Sequence, residues 1–169
     1  MSRVDKPILG ISLGTRLIGI AVIRDDRLLH WQVRKFKGQW SPKRSEKILT
    51  FIAQFIRQHE IQAVAVKVPT KGYLSHGLID LSAELGMYAS IANLDMRSFR
   101  IHDLKKFFAK KSLNRKEMMH SICERFPFLE TTYQKELSNR KAYHVKMFEA
   151  ILAAICLQIT REDEFARDQ

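Results

Sequence analysis

Long apolar runs and cysteine clusters are missing from this sequence. No apolar stretch is long enough to cross a bilayer, and residues 1–6 lack the charged-then-apolar plan of a signal peptide. Cys123 and Cys156 have no second pair of cysteines with which to hold zinc, and their apolar neighbours predict buried thiols. These absences predict a cytoplasmic protein that does not associate with membranes.

Acidic side chains are also scarce, with 18 Asp and Glu against 29 Lys and Arg and a net charge of +11. The excess is concentrated in two blocks. Residues 31–47 carry six basic side chains against one acid, and residues 97–120 carry eight against two. Aromatic residues are interleaved with this charge, a composition typical of a surface that binds a polyanion. An ordinary solvated surface on a basic protein is the alternative.

The candidate nucleic-acid contacts are side chains in these blocks and in the loop at residues 70–77. They are Lys43, Arg44, Lys71, Tyr73, Lys105, Lys106, Lys110, Lys111, Arg115 and Lys116. The basic groups would meet backbone phosphates, and exposed aromatic rings would stack on bases. The candidates for stacking are Trp40, Tyr73, Phe107 and Phe108.

Apolar periodicity and turn residues divide the chain into strands and helices. The predicted strands are residues 8–13, 17–23, 27–36, 61–68 and 97–101. Three predicted helices are residues 42–59, which follow the cap Ser41, residues 78–92 and residues 142–159. A short basic helix is capped by Asp103 and runs to Lys110. A further helix is opened by Asn114 and Glu117 and stops before Pro127. In the second helix, the predicted inward face is Leu78, Leu81, Leu85, Tyr88 and Ile91.

This order of elements resembles the ribonuclease H-like α/β fold. It predicts a mixed five-stranded sheet, an antiparallel meander plus parallel strands, flanked by helices. A chain of 169 residues with 46% apolar content is long enough for one core and too short for two ordinary domains. We therefore expect residues 1–169 to form a single domain.

Four segments that span nearly the whole chain carry a closer family resemblance. They are the hairpin Leu9–Arg16, the strand Ala63–Val68, the basic stretch Leu104–Lys111 with Asn114–Lys116, and the final helix segment Lys146–Ala154. In this order they resemble the RuvC-type Holliday-junction resolvase family and, more loosely, the related YqgF group. The resemblance implies a protein that binds branched DNA and forms a homodimer. Small residues of the second helix offer a surface for self-packing: Ala83, Gly86, Ala89 and Ser90.

The resemblance also implies a set of carboxylates that this chain has mostly lost. Active members hold two divalent cations with an acid at the end of the first strand, one at the end of the fourth, and a pair one turn apart on the last helix. Those positions fall on Ser12, Lys67, Lys146 and Glu149, of which only Glu149 is acidic. An ammonium in place of a carboxylate changes the interaction with a divalent cation by on the order of 10 kcal/mol.

Lys67 has two possible environments in the predicted strand. If its side chain faces the last helix, it forms a salt bridge with Glu149 or contacts a phosphate. Because strand side chains alternate between faces, a shift of one residue would instead place it in water at the strand edge.

The leading hypothesis is a nucleic-acid-binding protein without metal-dependent nuclease activity, hence not an enzyme and without a cofactor. The alternative is an active Holliday-junction resolvase-like endonuclease with displaced ligands, which would require magnesium. A sugar-kinase interpretation of Gly14 and Thr15 as a phosphate hairpin needs two such domains, and 169 residues supply one.

Overall fold

A mixed five-stranded sheet organises the chain in the computed structural model, which describes residues 6–70, 72, 74–107 and 114–169. The strands are β1 (Ile8–Ser12), β2 (Leu17–Arg24), β3 (Arg27–Lys35), β4 (Ala63–Lys67) and β5 (Asp95–Phe99). The helices are α1 (Pro42–Gln58), α2 (His76–Ile91), α3 (Ile101–Lys105), α4 (Arg115–Arg125), α5 (Glu130–Ser138) and α6 (Val145–Arg167).

The strand order is β3-β2-β1-β4-β5. The strand β2 pairs antiparallel with β1 and β3, whereas β4 pairs parallel with β1 and β5. The predicted meander plus parallel strands is therefore confirmed. The strands β1, β3, β4 and β5 all end at one edge of this sheet, which we call the carboxyl edge.

The two faces of the sheet carry side chains of very different size. One face is built from large aliphatic residues such as Leu9, Ile11 and Val66, and it packs against α1 and α2. The other face carries Gly10, Gly19, Ala21 and Ala65 around the centre of the sheet, and it packs against α6. Small side chains on this second face allow the helix axis to approach the strands closely.

Two glycines determine how closely α6 approaches. A Cβ atom on Gly10 would overlap the carbonyl oxygen of Ala150, and one on Gly19 would overlap that of Lys146. Both obstacles are backbone atoms of α6, so no side-chain rotation relieves them. The backbone of α6 therefore lies directly on β1 and β2, and this contact fixes which α6 side chains reach the carboxyl edge.

Several predicted element ends need correction. The helix α6 begins at Val145 rather than near residue 142, because the buried Glu136 carboxylate accepts hydrogen bonds from the backbone N–H groups of Tyr143 (2.9 Å) and His144 (2.7 Å). It also continues past residue 159 to Arg167, and α5, which precedes it, was not predicted.

The short basic helix also begins earlier than expected. Arg100 is the cap of α3, and Asp103 lies inside the first turn, where its carboxylate accepts a hydrogen bond from the Arg100 backbone N–H at 2.9 Å. The predicted continuation to Lys110 lies partly outside the described residues, which resume at Asn114. The capping box of Asn114 and Glu117 at the start of α4 is as predicted.

The predicted inward face of α2 is right at one end and wrong at the other. Leu78, Leu81 and Leu85 are buried, but Ile91 is 82% exposed. At about 100° per residue, Ile91 lies on the side of α2 that carries the exposed Met87 and not on the side of Leu85, so it faces away from the sheet.

Both cysteines are buried and free, as predicted. Burial raises the pKa of the Cys123 thiol to about 11 and that of Cys156 to about 12, so both thiols are protonated at neutral pH. Within the described ranges, no helix combines the length and hydropathy needed to cross a membrane.

The close contact of α6 predicts a specific sensitivity to added volume. We expect Gly10→Ala to destabilise the protein by about 3 kcal/mol, the upper end for overpacked sites, because neither backbone can move away. The matched control is Gly86→Ala in α2, where the nearest atom to the new Cβ is Met96 Cε at 3.7 Å. This control is expected to stabilise the helix by up to ~1 kcal/mol. Urea unfolding measures both, and equal stability of the two variants would contradict the packing described here.

Candidate nucleic-acid interface

Ser12, Lys67 and Glu149 converge at the carboxyl edge. Ser12 ends β1 directly beside Lys67, which ends β4, and both face α6. The Lys67 ammonium forms an ion pair with the Glu149 carboxylate, whose other oxygen accepts a 3.5 Å hydrogen bond from Ser12 Oγ. Of the two environments open to Lys67 in the sequence, the one facing the last helix is therefore the observed one.

This ion pair is largely removed from water. Ser12 is fully buried, and the side chains of Lys67 and Glu149 are 13% and 10% exposed. Separating the two charges would leave each in a medium of low polarity, so the pair is held together more firmly than a surface pair.

Lys146 places a second ammonium beside the same carboxylate. It precedes Glu149 by one helical turn, and its Nζ lies 3.4 Å from where a Cβ on Gly14 would be. Burial lowers the pKa of Lys146; Glu149 opposes this effect, while the positive charges of Lys67 and Arg115 add to it. A net positive potential therefore surrounds Glu149, the only acid of the group.

A cleft opens beside the ion pair, between α3, α4 and α6. We call it the α4 cleft; it has a volume of about 240 Å³. Its lining residues are Lys67, Ile101, Lys105, Asn114, Arg115, Met118, Val145, Glu149 and Leu152. Three cationic side chains meet one carboxylate there, so the cleft attracts anions.

A second, wider cleft lies where the end of β3 meets the start of α1. This α1 cleft has a volume of about 790 Å³, and Glu46 is the single acid among its lining residues. Its basic lining residues are Arg34, Lys35, Lys37, Lys43, Arg44 and Lys47. The sequence signal for this cleft was the concentration of positive charge in residues 31–47. The structure brings all six basic side chains of that segment to the one groove.

Arg44 is the unusual member of this cleft. It is 6% exposed, its Nη1 donates to the Thr15 carbonyl oxygen at 3.3 Å, and its Nη2 has no partner among the described residues. Buried arginines are normally paired with an acid. Here the guanidinium adds an uncompensated positive charge beneath a groove that is already basic.

Solved structures of resolvases share this architecture. RuvC from T. thermophilus, solved alone, aligns with a TM-score of 0.72 and 16% identity over 93% of this chain and 96% of that one. RuvC in complex with a Holliday-junction substrate gives 0.71 and 18% over 94% and 96%. The chain has the fold of RuvC.

A viral enzyme is more distantly similar. The Fowlpox virus resolvase, in a complex with substrate Holliday-junction DNA, aligns with a TM-score of 0.56 and 12% identity over 90% of this chain and 99% of that one. No family model matches the sequence, and no curated protein matches it. The likeness to RuvC is thus one of fold.

The residues at the carboxyl edge do not fit a divalent cation. Such ions need several oxygen ligands, and the available donors are one carboxylate and one hydroxyl. The carboxylate is engaged by Lys67, and Lys146 adds further repulsion. No group of three His, Cys, Asp or Glu side chains suited to a metal occurs in the ranges that the structure describes.

The predicted nucleic-acid contacts fall into three groups. Lys43 and Arg44 line the α1 cleft, and Lys105 and Arg115 line the α4 cleft. Lys106 and Lys116 are exposed beside the α4 cleft without lining it. The remaining predicted contacts lie outside the described residues: Lys71, Tyr73, Lys110 and Lys111.

The candidate stacking residues differ in their surroundings. Trp40 packs against Gly77, where an added Cβ would lie 2.7 Å from the indole, so its ring belongs to the fold. Phe107 is 41% exposed and stays a candidate, whereas Tyr73 and Phe108 are not among the described residues.

The apolar residues that line the α4 cleft were not predicted from the sequence, because they show the same periodicity as ordinary core positions.

The buried ion pair predicts an asymmetric response to mutation. We expect Lys67→Met to cost about 3–5 kcal/mol, because it removes the ion-pair partner of the buried Glu149 carboxylate. The double variant Lys67→Met/Glu149→Met is expected to recover most of this stability. Urea unfolding measures both.

An exposed pair provides the control for this cycle. Arg125→Met removes the 3.3 Å contact with Asp26, whose side chain is 94% exposed, and should change stability by less than about 1 kcal/mol. A Lys67→Met variant as stable as Arg125→Met would show that the Lys67–Glu149 pair is not held as described.

Proposed function

We propose that this chain is a RuvC-like nucleic-acid-binding protein that lacks metal-dependent nuclease activity. The observation that carries the proposal is the presence of two cation-rich clefts at one edge of the sheet. Among their lining residues, the only acids are Glu149 in one and Glu46 in the other. Clustered positive charge of this kind attracts nucleic-acid phosphates.

The turn between β1 and β2 connects the two clefts. Arg44 from the α1 cleft donates to the carbonyl of Thr15, and Lys146, beside the Lys67–Glu149 pair, approaches Gly14 in the same turn. A polyanion that crosses this turn would therefore contact both clefts. The neighbouring RuvC and viral resolvase structures hold Holliday-junction DNA, which supports branched DNA as the ligand here.

The shortage of carboxylates that could ligate a metal supports binding of nucleic acid without its hydrolysis. In the two-metal mechanism, the ions activate the attacking water and stabilise the leaving oxygen. Lys67 and Lys146 supply positive charge at this place, but an ammonium does not generate a metal-bound hydroxide. The alternative of an active endonuclease with displaced, magnesium-binding ligands has no supporting cluster among the described residues. We further propose that the chain acts as one cytoplasmic domain.

Charge reversal at each cleft tests the binding proposal. We expect Lys105→Glu/Arg115→Glu and Lys43→Glu/Lys47→Glu each to weaken binding to a four-way DNA junction and to reduce the slope of log K against log salt by about two, one for each lost phosphate contact. The matched control is Arg24→Glu/Arg27→Glu, at the opposite edge of the sheet. Fluorescence anisotropy over a salt series measures the slopes.

The same samples distinguish the two functional hypotheses. Labelled junction, duplex and RNA should stay intact in magnesium or manganese, and EDTA should leave junction affinity unchanged. Cleavage that disappears on Glu149→Gln would establish the nuclease instead. A flat salt response of the unmodified protein, or equal effects of the cleft and control variants, would argue against the nucleic-acid interface.

We also propose that the protein forms a homodimer through the outer face of α2. Ile79, Met87 and Ile91 are 49%, 63% and 82% exposed and lie along one side of the helix. Exposed apolar residues in a stripe mark an interaction surface. Ala83 and Ser90 are exposed on the same helix, but Ala89 is buried in the fold and is not available for self-packing.

Sedimentation measures this assembly. Met87→Lys/Ile91→Lys should convert a dimer into a monomer at micromolar concentration, because two charges would be buried at the interface. Leu137→Lys, at an exposed apolar position on α5, is the control and should remain dimeric. A monomeric unmodified protein would contradict the proposal.

A further inference from the structure

The α4 cleft has two chemically different sides. One side is cationic and polar, with Lys67, Lys105 and Arg115. The other is an apolar wall in which Ile101 is partly buried, while Met118, Val145 and Leu152 are core residues that are 1–3% exposed. A phosphate group needs only the first side. Binding to the nucleic-acid backbone therefore leaves the accessible part of the apolar wall, at Ile101, without a partner.

The size of the cleft limits what the apolar wall can meet. Its volume of about 240 Å³ lies just below the range of roughly 300–1,000 Å³ for drug-sized ligands. One planar ring system fits such a space, whereas a base inside a duplex is covered on both faces by its neighbours. Enzymes that act on single bases hold an extruded base in a pocket against apolar side chains.

The polar groups at the rim suit the remaining parts of a nucleotide. Asn114 uses its side-chain oxygen to accept from the Glu117 backbone N–H at 2.8 Å, and its amide N–H groups donate to none of the described residues. Lys105 and Arg115 line the same cleft and can bind a phosphate.

We propose that the α4 cleft binds one unpaired nucleotide, with its base on the apolar wall and its phosphate at Lys105 and Arg115. This inference rests on the proposed nucleic-acid-binding function and adds the class of ligand. The protein then prefers nucleic acid with an unstacked base over continuous duplex of the same length.

The test uses two duplexes that differ at one nucleotide. In one, a single 2-aminopurine is an unpaired bulge; in the other, the same 2-aminopurine is paired. We expect the bulged duplex to bind about 10-fold more tightly, within the range for accommodating a single base. Its fluorescence should rise on binding, because the base leaves the stack. Equal affinity for the two duplexes, without a fluorescence rise, would overturn the inference.

A cleft-filling variant tests the location. Ile101→Trp adds volume at the partly buried end of the wall without changing any charge. We expect it to remove the 10-fold preference by weakening binding of the bulged duplex, and to keep the slope of log K against log salt because no charge is altered. Leu137→Trp, at a 42% exposed site on α5, is the control and should keep the preference. Retention of the preference in Ile101→Trp would place the unpaired base elsewhere.

A second variant covers the outcome in which Ile101→Trp fails to fold. Arg115→Gln changes an exposed side chain, and it should weaken binding to both duplexes and reduce the difference between the two affinities. Failure of the unmodified protein to bind either duplex would refute the proposed function itself. Tight, salt-dependent binding of both with no discrimination would refute only the unpaired-nucleotide site.

Discussion

The direct contact between the α6 backbone and the small-residue face of the sheet sets the geometry of everything at the carboxyl edge. Gly10 and Gly19 leave room for the carbonyl groups of Ala150 and Lys146 against the strands. Since a helix turns by a fixed angle per residue, seating these two carbonyls also fixes the directions of Lys146 and Glu149. The α6 side of the interface is thus a consequence of close packing.

Close packing also explains why the charged cluster is tolerated. The ends of β1 and β4 are held in register by the sheet, with Ser12 beside Lys67. Glu149 arrives from α6 at a distance that allows both to bind its carboxylate. A buried charge without partners costs several kcal/mol, so the three groups are stable only as a set. The helix start adds to this order, because Glu136 satisfies backbone N–H groups just before Val145.

Much of the fold could be predicted from the sequence because its signals are local. The β-branched strands around Gly14 and the cap Ser41 before Pro42 depend on neighbouring residues, and both are observed. The start of α6 could not be predicted, because it depends on Glu136, a residue of another helix. Ile91 was misplaced for a different reason: two successive steps of three residues from Leu85 fall short of two full helical turns, so Ile91 lies on the outer side with Met87.

In the candidate site, too, some features have a signal in the sequence and others depend on how distant elements pack. The family resemblance predicted that Ser12, Lys67, Lys146 and Glu149 belong together, and the sequence shows that only Glu149 among them is acidic. The orientation of Lys67 was open, since alternation along β4 fits either face until the register with β1 is known. The apolar wall of the α4 cleft was not visible at all, because Met118, Val145 and Leu152 are spaced like any core residues and only the neighbouring helices leave a gap beside them.

In the proposed function, Lys67 and Lys146 provide only one of two properties that a divalent metal ion combines. A metal ion attracts phosphate and also lowers the pKa of a bound water to the point of generating a nucleophile. The ammonium groups of Lys67 and Lys146 retain the first property and lack the second. They are also attached to the chain, so the attraction does not depend on the concentration of free metal. Binding that persists without metal therefore follows from the amines of Lys67 and Lys146 at an edge whose geometry is set by α6.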